Sequence, residues 1–105
     1  MDLRGKKLGL LLSGRPEGAT FLHGIRLAEA ALHEGVDVFL YCIHDAVAGV
    51  ADVRLQSLRS RGLKLYACAY GAQKRNIAID DKAVFAGLGV ASDIMAATDR
   101  FLSFN

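Results

Sequence analysis

The sequence predicts a parallel α/β sandwich with right-handed crossovers. Three observations predict it. Apolar runs short enough to be strands alternate with helical patterns along the 105 residues, the signature of βαβ units. The connections between them are short, which leaves few topologies open. The first apolar run, Leu8 to Leu12, is nearly continuous, as in a central parallel strand covered on both faces.

A chain of this length is a single domain, residues 1–105. At that size it buries roughly 65% of its unfolded surface. Hydrophobic residues make up 52%, above the typical ~45–50% that also counts glycine, so some apolar surface is expected to be covered by other subunits. A net charge of +2 is too weak to argue for nucleic acid. Two cysteines far apart in sequence are not a disulfide framework, and a reducing cytoplasm is the default compartment. The N-terminus runs directly into the first apolar run, with no signal peptide expected. No segment approaches the ~20 apolar residues of a membrane span.

Lys7 to Leu12 is the first strand. The loop Ser13 to Gly18 after it invites a phosphate reading, with Thr20 closing the stretch. A P-loop, however, needs four residues between its glycines and then Lys; here Gly14 and Gly18 are separated by three, and Ala19 stands where Lys should be. Thr20 to Glu34 is a helix, with Phe21, Ile25, Ala28 and Leu32 on one face and Gly35 as its stop. His23 and His33 fall on different faces of it and cannot chelate one metal.

Asp37 to Cys42 is the second strand. Cys42, His44 and Asp45 follow at its carboxyl end, where open α/β sheets place their chemistry. His44 either raises the potential near a thiolate or is a solvated loop histidine. A linker, Gly49 to Asp52, leads to a helix from Val53 to Arg61 with Arg54, Arg59 and Arg61 on its solvated face, stopped by Gly62. Leu63 to Ala67 is the third strand. It turns at Cys68 to Gly71 into a small basic helix, Ala72 to Arg75. Asn76 to Lys82 is a loop whose pair Asp80-Asp81 reads as a cap. Ala83 to Ala86 is the weakest strand signal. Val90 to Thr98 is a helix with Ser92-Asp93 in its first turn, the favourable end for a carboxylate, and Phe101 to Phe104 is the last strand.

Cys68 stands where a strand feeds a helix. Backbone N–H groups there favour thiolate over thiol, and Lys74 and Arg75 add positive charge within two turns. The alternative is a buried cysteine acting as a small hydrophobe. The run Cys68-Ala69-Tyr70-Gly71-Ala72-Gln73-Lys74-Arg75-Asn76-Ile77 resembles the cysteine segment of the DsrE/TusD sulfur-relay proteins, in which a basic pair is usually followed by Gly and an aliphatic residue. Val38-Phe39-Leu40-Tyr41 followed by Asp45-Ala46-Val47 is similar to the family's second strand and loop. Gly87-Leu88-Gly89 through Asp99 to Phe104 resembles its C-terminal helix and last strand. The departures are Asn76 in place of Gly, a shortened middle, and the extra Cys42; Asn tolerates a left-handed backbone better than most residues.

The resemblance implies the three-layer version of the fold, a mostly parallel sheet of about five strands with helices on both faces. It implies a cytoplasmic sulfur carrier working without a cofactor, with Cys68 taking sulfane sulfur as a persulfide and Lys74, Arg75, His44 and Asp45 in support. It also implies a homo-oligomer, trimeric or hexameric, that meets a sulfur-donor or sulfur-acceptor protein. Two other readings stay open: a non-catalytic oligomeric α/β module, and a nucleotide- or phosphate-binding domain using Ser13 to Thr20. The common strand order 2-1-3 would place the cysteine-bearing strands two steps apart, roughly 9–10 Å, too far for a disulfide, whose Cα atoms lie within ~7 Å.

Overall fold

The structure, a computed structural model, describes residues 2–105. Strands β1 (Lys7–Leu12), β2 (Asp37–Cys42), β3 (Lys64–Cys68), β4 (Val84–Ala86) and β5 (Arg100–Phe104) form one sheet in the order β4-β3-β2-β1-β5. All four neighbouring pairs are parallel. Helices α1 (Ala19–His33), α2 (Val53–Ser60), α3 (Ala69–Lys74) and α4 (Leu88–Ala97) fill the connections, with a 3-10 segment, His44–Gly49, after β2. The expected α/β sandwich is therefore present, and the weak strand signal at Val84–Ala86 is a real, three-residue edge strand.

The strand order differs from the 2-1-3 expectation. β3 lies directly beside β2, with Cys42 in register with Ala67. The chain steps outward through β1, β2, β3 and β4 and reverses only to place β5 on the other side of β1. α1 and α2, on the outward crossovers from β1 to β2 and from β2 to β3, share one face, and α4, on the reversed crossover to β5, takes the other; α3 lies with α4 although its crossover to β4 continues outward. Two core layers follow. On one side Leu10, Leu12, Val38, Leu40, Leu65 and Cys42 pack with Phe21 and Ile25 of α1 and Leu55 and Leu58 of α2. On the other Tyr41 and Cys68 pack with Val47, Ala72 of α3, and Ala91 and Ile94 of α4.

The helix stops follow the sequence closely. Gly35, Gly62 and Asn76 all have positive φ, at 80°, 110° and 55°. Each is followed by a residue whose N–H reaches back into the last turn: Val36 to the Ala31 carbonyl, Leu63 to Leu58, Ile77 to Ala72. This is the Schellman closure, and Asn76 serves in it where the resemblance would have Gly.

Other boundaries moved. α3 begins immediately after Cys68, with no intervening turn, because Cys68 itself caps it. α4 begins at Leu88, so Ser92 and Asp93 fall beyond its first turn and are exposed; Leu88 is exposed too and leaves no apolar period to mark the start. Asp80 caps a turn rather than a helix, accepting from the Lys82 N–H at 2.9 Å.

Candidate functional site

Cys68 ends β3 on the face covered by α3 and α4. Its sulfur accepts a hydrogen bond from the Gly71 N–H at 3.3 Å. That amide is free because the first turn of any helix leaves its N–H groups without intrahelical partners. Gly71 suits the position sterically: a Cβ there would lie 3.3 Å from Val47 and 3.5 Å from the Cys68 Cβ. The cysteine is largely covered, with 7% of its surface exposed, whereas Cys42 has none.

Cys42 belongs to a different environment. It points into the layer beneath α1 and α2, and burial pushes its thiol up to about 12. A group in that state remains a thiol at neutral pH and has no route to a partner. Both cysteines are free. The reason is facial parity rather than the strand separation expected from the order 2-1-3.

The supporting residues divide. Arg75 and Asp45 are brought together, Nη2 to Oδ1 at 3.4 Å. The same guanidinium also donates to the Gly71 carbonyl at 3.4 Å, so Arg75 holds the residue whose amide meets the sulfur. Lys74 is exposed on the last turn of α3 and enters no ion pair among the described residues. His44 is exposed, with a left-handed φ of 53°, a conformation uncommon outside glycine. Ala67, which could have flanked an approach to the thiol, faces the opposite core layer instead.

Tyr41 is the residue that sequence reasoning did not single out. It is fully buried on the Cys68 face. Its register partner on β3 is Tyr66, whereas Cys68 is paired with Ala86 on β4. The Tyr41 hydroxyl donates to the Ala86 carbonyl at 3.0 Å and to the Gly87 carbonyl at 3.3 Å. The phenol therefore reaches across β3 to the strand beyond it. Burial first, and the neighbouring Cys68 sulfur second, push the phenol up to about 12.

No group of three or more His, Cys, Asp or Glu side chains is placed to hold a metal among the described residues. At the β1–α1 loop the Gly18 N–H turns back to the Arg15 carbonyl at 2.9 Å. The Ser13 hydroxyl meets the Asn105 side chain at 2.9 Å. A cleft of about 530 Å³ opens at the other end of the sheet, between Leu8, Leu27 and Val36, with Lys7 and Arg100 on its wall. Neither cysteine lines it.

No protein-family model and no curated protein matches the chain. Among solved structures it is similar to the ychN protein from E. coli, with a TM-score of 0.85 and 20% sequence identity over 94% of this chain and 99% of that one. The fold is thus the DsrE-like one, with a five-stranded parallel sheet between helices.

Proposed function

We infer that the protein is a sulfur carrier in which Cys68 holds sulfane sulfur as a persulfide. The observation that carries this reading is the hydrogen bond from the Gly71 N–H to the Cys68 sulfur at the carboxyl end of β3. A backbone N–H aimed at sulfur favours the anionic form, which is the nucleophile. The Cys68 thiolate attacks the outer sulfur of a donor persulfide. The donor's S–S bond breaks, a new S–S bond forms on Cys68, and the donor leaves as a thiolate. Attack by an acceptor thiolate on that outer sulfur reverses the sequence and returns the Cys68 thiolate. Neither step has a net redox change, so neither requires a cofactor.

A second reading, oligomerisation, is compatible with the first and has its own support. Tyr70 on α3, Val84 on β4, and Leu88 and Met95 on α4 are large apolar side chains left exposed, Tyr70 by 72% and Leu88 by 60%. They lie on the elements around Cys68. Copies of the chain associating through this side, as a trimer or hexamer, would cover them and frame an entrance to the thiol. No helix among the described residues is long and apolar enough to cross a membrane, and the reducing cytoplasm remains the proposed setting for a reactive thiol.

Alkylation of the folded protein near neutral pH tests the carrier reading. One thiol per chain should react, and peptide mapping should place it at Cys68. Labelling of Cys68 only after unfolding would overturn it.

A further inference from the structure

We propose that Tyr41 is a positioning residue for the Cys68 thiolate, its hydroxyl turning from the Ala86 and Gly87 carbonyls to donate to the sulfur when the thiol ionises. The proposal rests on the reading of Cys68 as the nucleophile. Its geometry comes from the sheet. Tyr41 and Cys68 point to the same face from adjacent strands, and the hydroxyl ends at the carbonyl of Ala86, the register partner of Cys68. The hydroxyl therefore reaches beyond β3, whose Tyr66 and Cys68 share that face. The thiol and the hydroxyl are thus enclosed in one apolar layer.

The hydroxyl has one hydrogen and divides it between two carbonyls at 3.0 and 3.3 Å. Such a shared hydrogen is not committed to one strong bond. The Gly87 carbonyl also accepts from the Val90 N–H at 3.2 Å, so it keeps a partner when the hydroxyl turns away. A thiolate is the stronger acceptor, because hydrogen bonds to ionised groups are roughly twice as strong as neutral ones. Together with the Gly71 amide, Tyr41 gives the sulfur two donors in a largely buried site.

Other titratable groups surround the pair. His44 and Asp45 lie on the 3-10 segment, Arg75 at the end of α3, and Tyr66 on β3 itself. Tyr70 and Lys74 are exposed on α3, Asp93 on α4, and β4 has none. All of them are unchanged by a substitution at position 41, so a comparison with the wild type isolates the hydroxyl.

The experiment is the rate of Cys68 alkylation by iodoacetamide as a function of pH, in the wild type and in Tyr41→Phe. The wild-type curve should show a single ionisation, with Tyr41→Phe shifting its midpoint up by about one pH unit, close to a tenfold slower reaction on the rising limb. The plateau at high pH should be unchanged, whereas a merely structural role would alter the plateau and leave the midpoint. Superimposable midpoints would overturn the proposal for Tyr41 while leaving the carrier reading intact. A wild-type Cys68 that does not alkylate until unfolded would instead remove the carrier reading itself. If Tyr41→Phe does not fold, 3-fluorotyrosine at position 41, a more acidic donor of nearly the same shape, should move the midpoint down; no movement would overturn the proposal.

Discussion

Cys42 and Cys68 lie on adjacent strands yet point to opposite faces of the sheet. Cys42 is in register with Ala67, and side chains alternate along β3, so the next residue projects the other way. The same parity that separates them gives each its own surroundings: a dry layer under α1 and α2 for Cys42, and the Gly71 amide for Cys68.

Cys42→Ser should leave sulfur loading unchanged while lowering stability by about 1–3 kcal/mol, because a hydroxyl would be buried in an apolar layer with no partner. Denaturant unfolding and intact mass measure the two effects. Loss of loading with stability retained would contradict this assignment.

Stability should fall in alkaline solution, and Cys42 should start the fall. Its folded value of about 12 lies above the 9.0 of a free thiol. Above pH 9 the unfolded chain therefore loses a proton that the folded chain keeps, and the unfolded state gains. The contribution is intact below about pH 9 and is lost as pH rises toward 12. Tyr41 adds the same sign between 10.0 and about 12. Cys42→Ala should delay the onset toward pH 10, seen in unfolding midpoints across this range; an unchanged onset would show that other groups govern it.

Arg75 and Lys74 should not be equivalent. Arg75→Gln removes the group that donates to the Gly71 carbonyl and should slow Cys68 alkylation several-fold. Lys74→Ala should leave it within error. Because the Arg75–Asp45 pair is solvated, each change should cost less than about 1 kcal/mol of stability. Equal slowing by both variants would mean that net charge, not position, governs the thiol.

Association should give a mass above the 11.3 kDa of one chain in light scattering. Leu88→Glu, at a position 60% exposed in the single chain, should lower that mass without unfolding the protein. A wild-type chain that scatters as a monomer at micromolar concentration would contradict the prediction.

How far the fold and site could be read in the sequence is visible in particular residues. Phe21, Ile25 and Ala28 mark α1 by their period, and Gly35 and Gly62 mark where helices end because the left-handed backbone suits glycine. The order of strands was not legible, since no local pattern encodes whether β3 passes outside β2 or crosses β1. The start of α3 was misplaced because Ala69, Tyr70 and Gly71 look like a turn, and only the sulfur cap shows them to be helical. Tyr41 was hidden for two reasons. The unbroken apolar run Val38 to Cys42 conceals which residues share a face. Its partner Ala86 is contacted through a backbone carbonyl 45 positions away, which leaves no trace in side-chain identity.

The most direct test of the central claim is the intact mass of the folded protein after incubation with a small-molecule persulfide donor and removal of excess reagent. The wild type and Cys42→Ser should each gain the mass of one sulfur atom per chain and lose it again on addition of an acceptor thiol, while Cys68→Ser gains nothing and keeps its fold. Loading that persists in Cys68→Ser, or a wild type whose mass does not change, would contradict the assignment of Cys68 as a sulfur carrier.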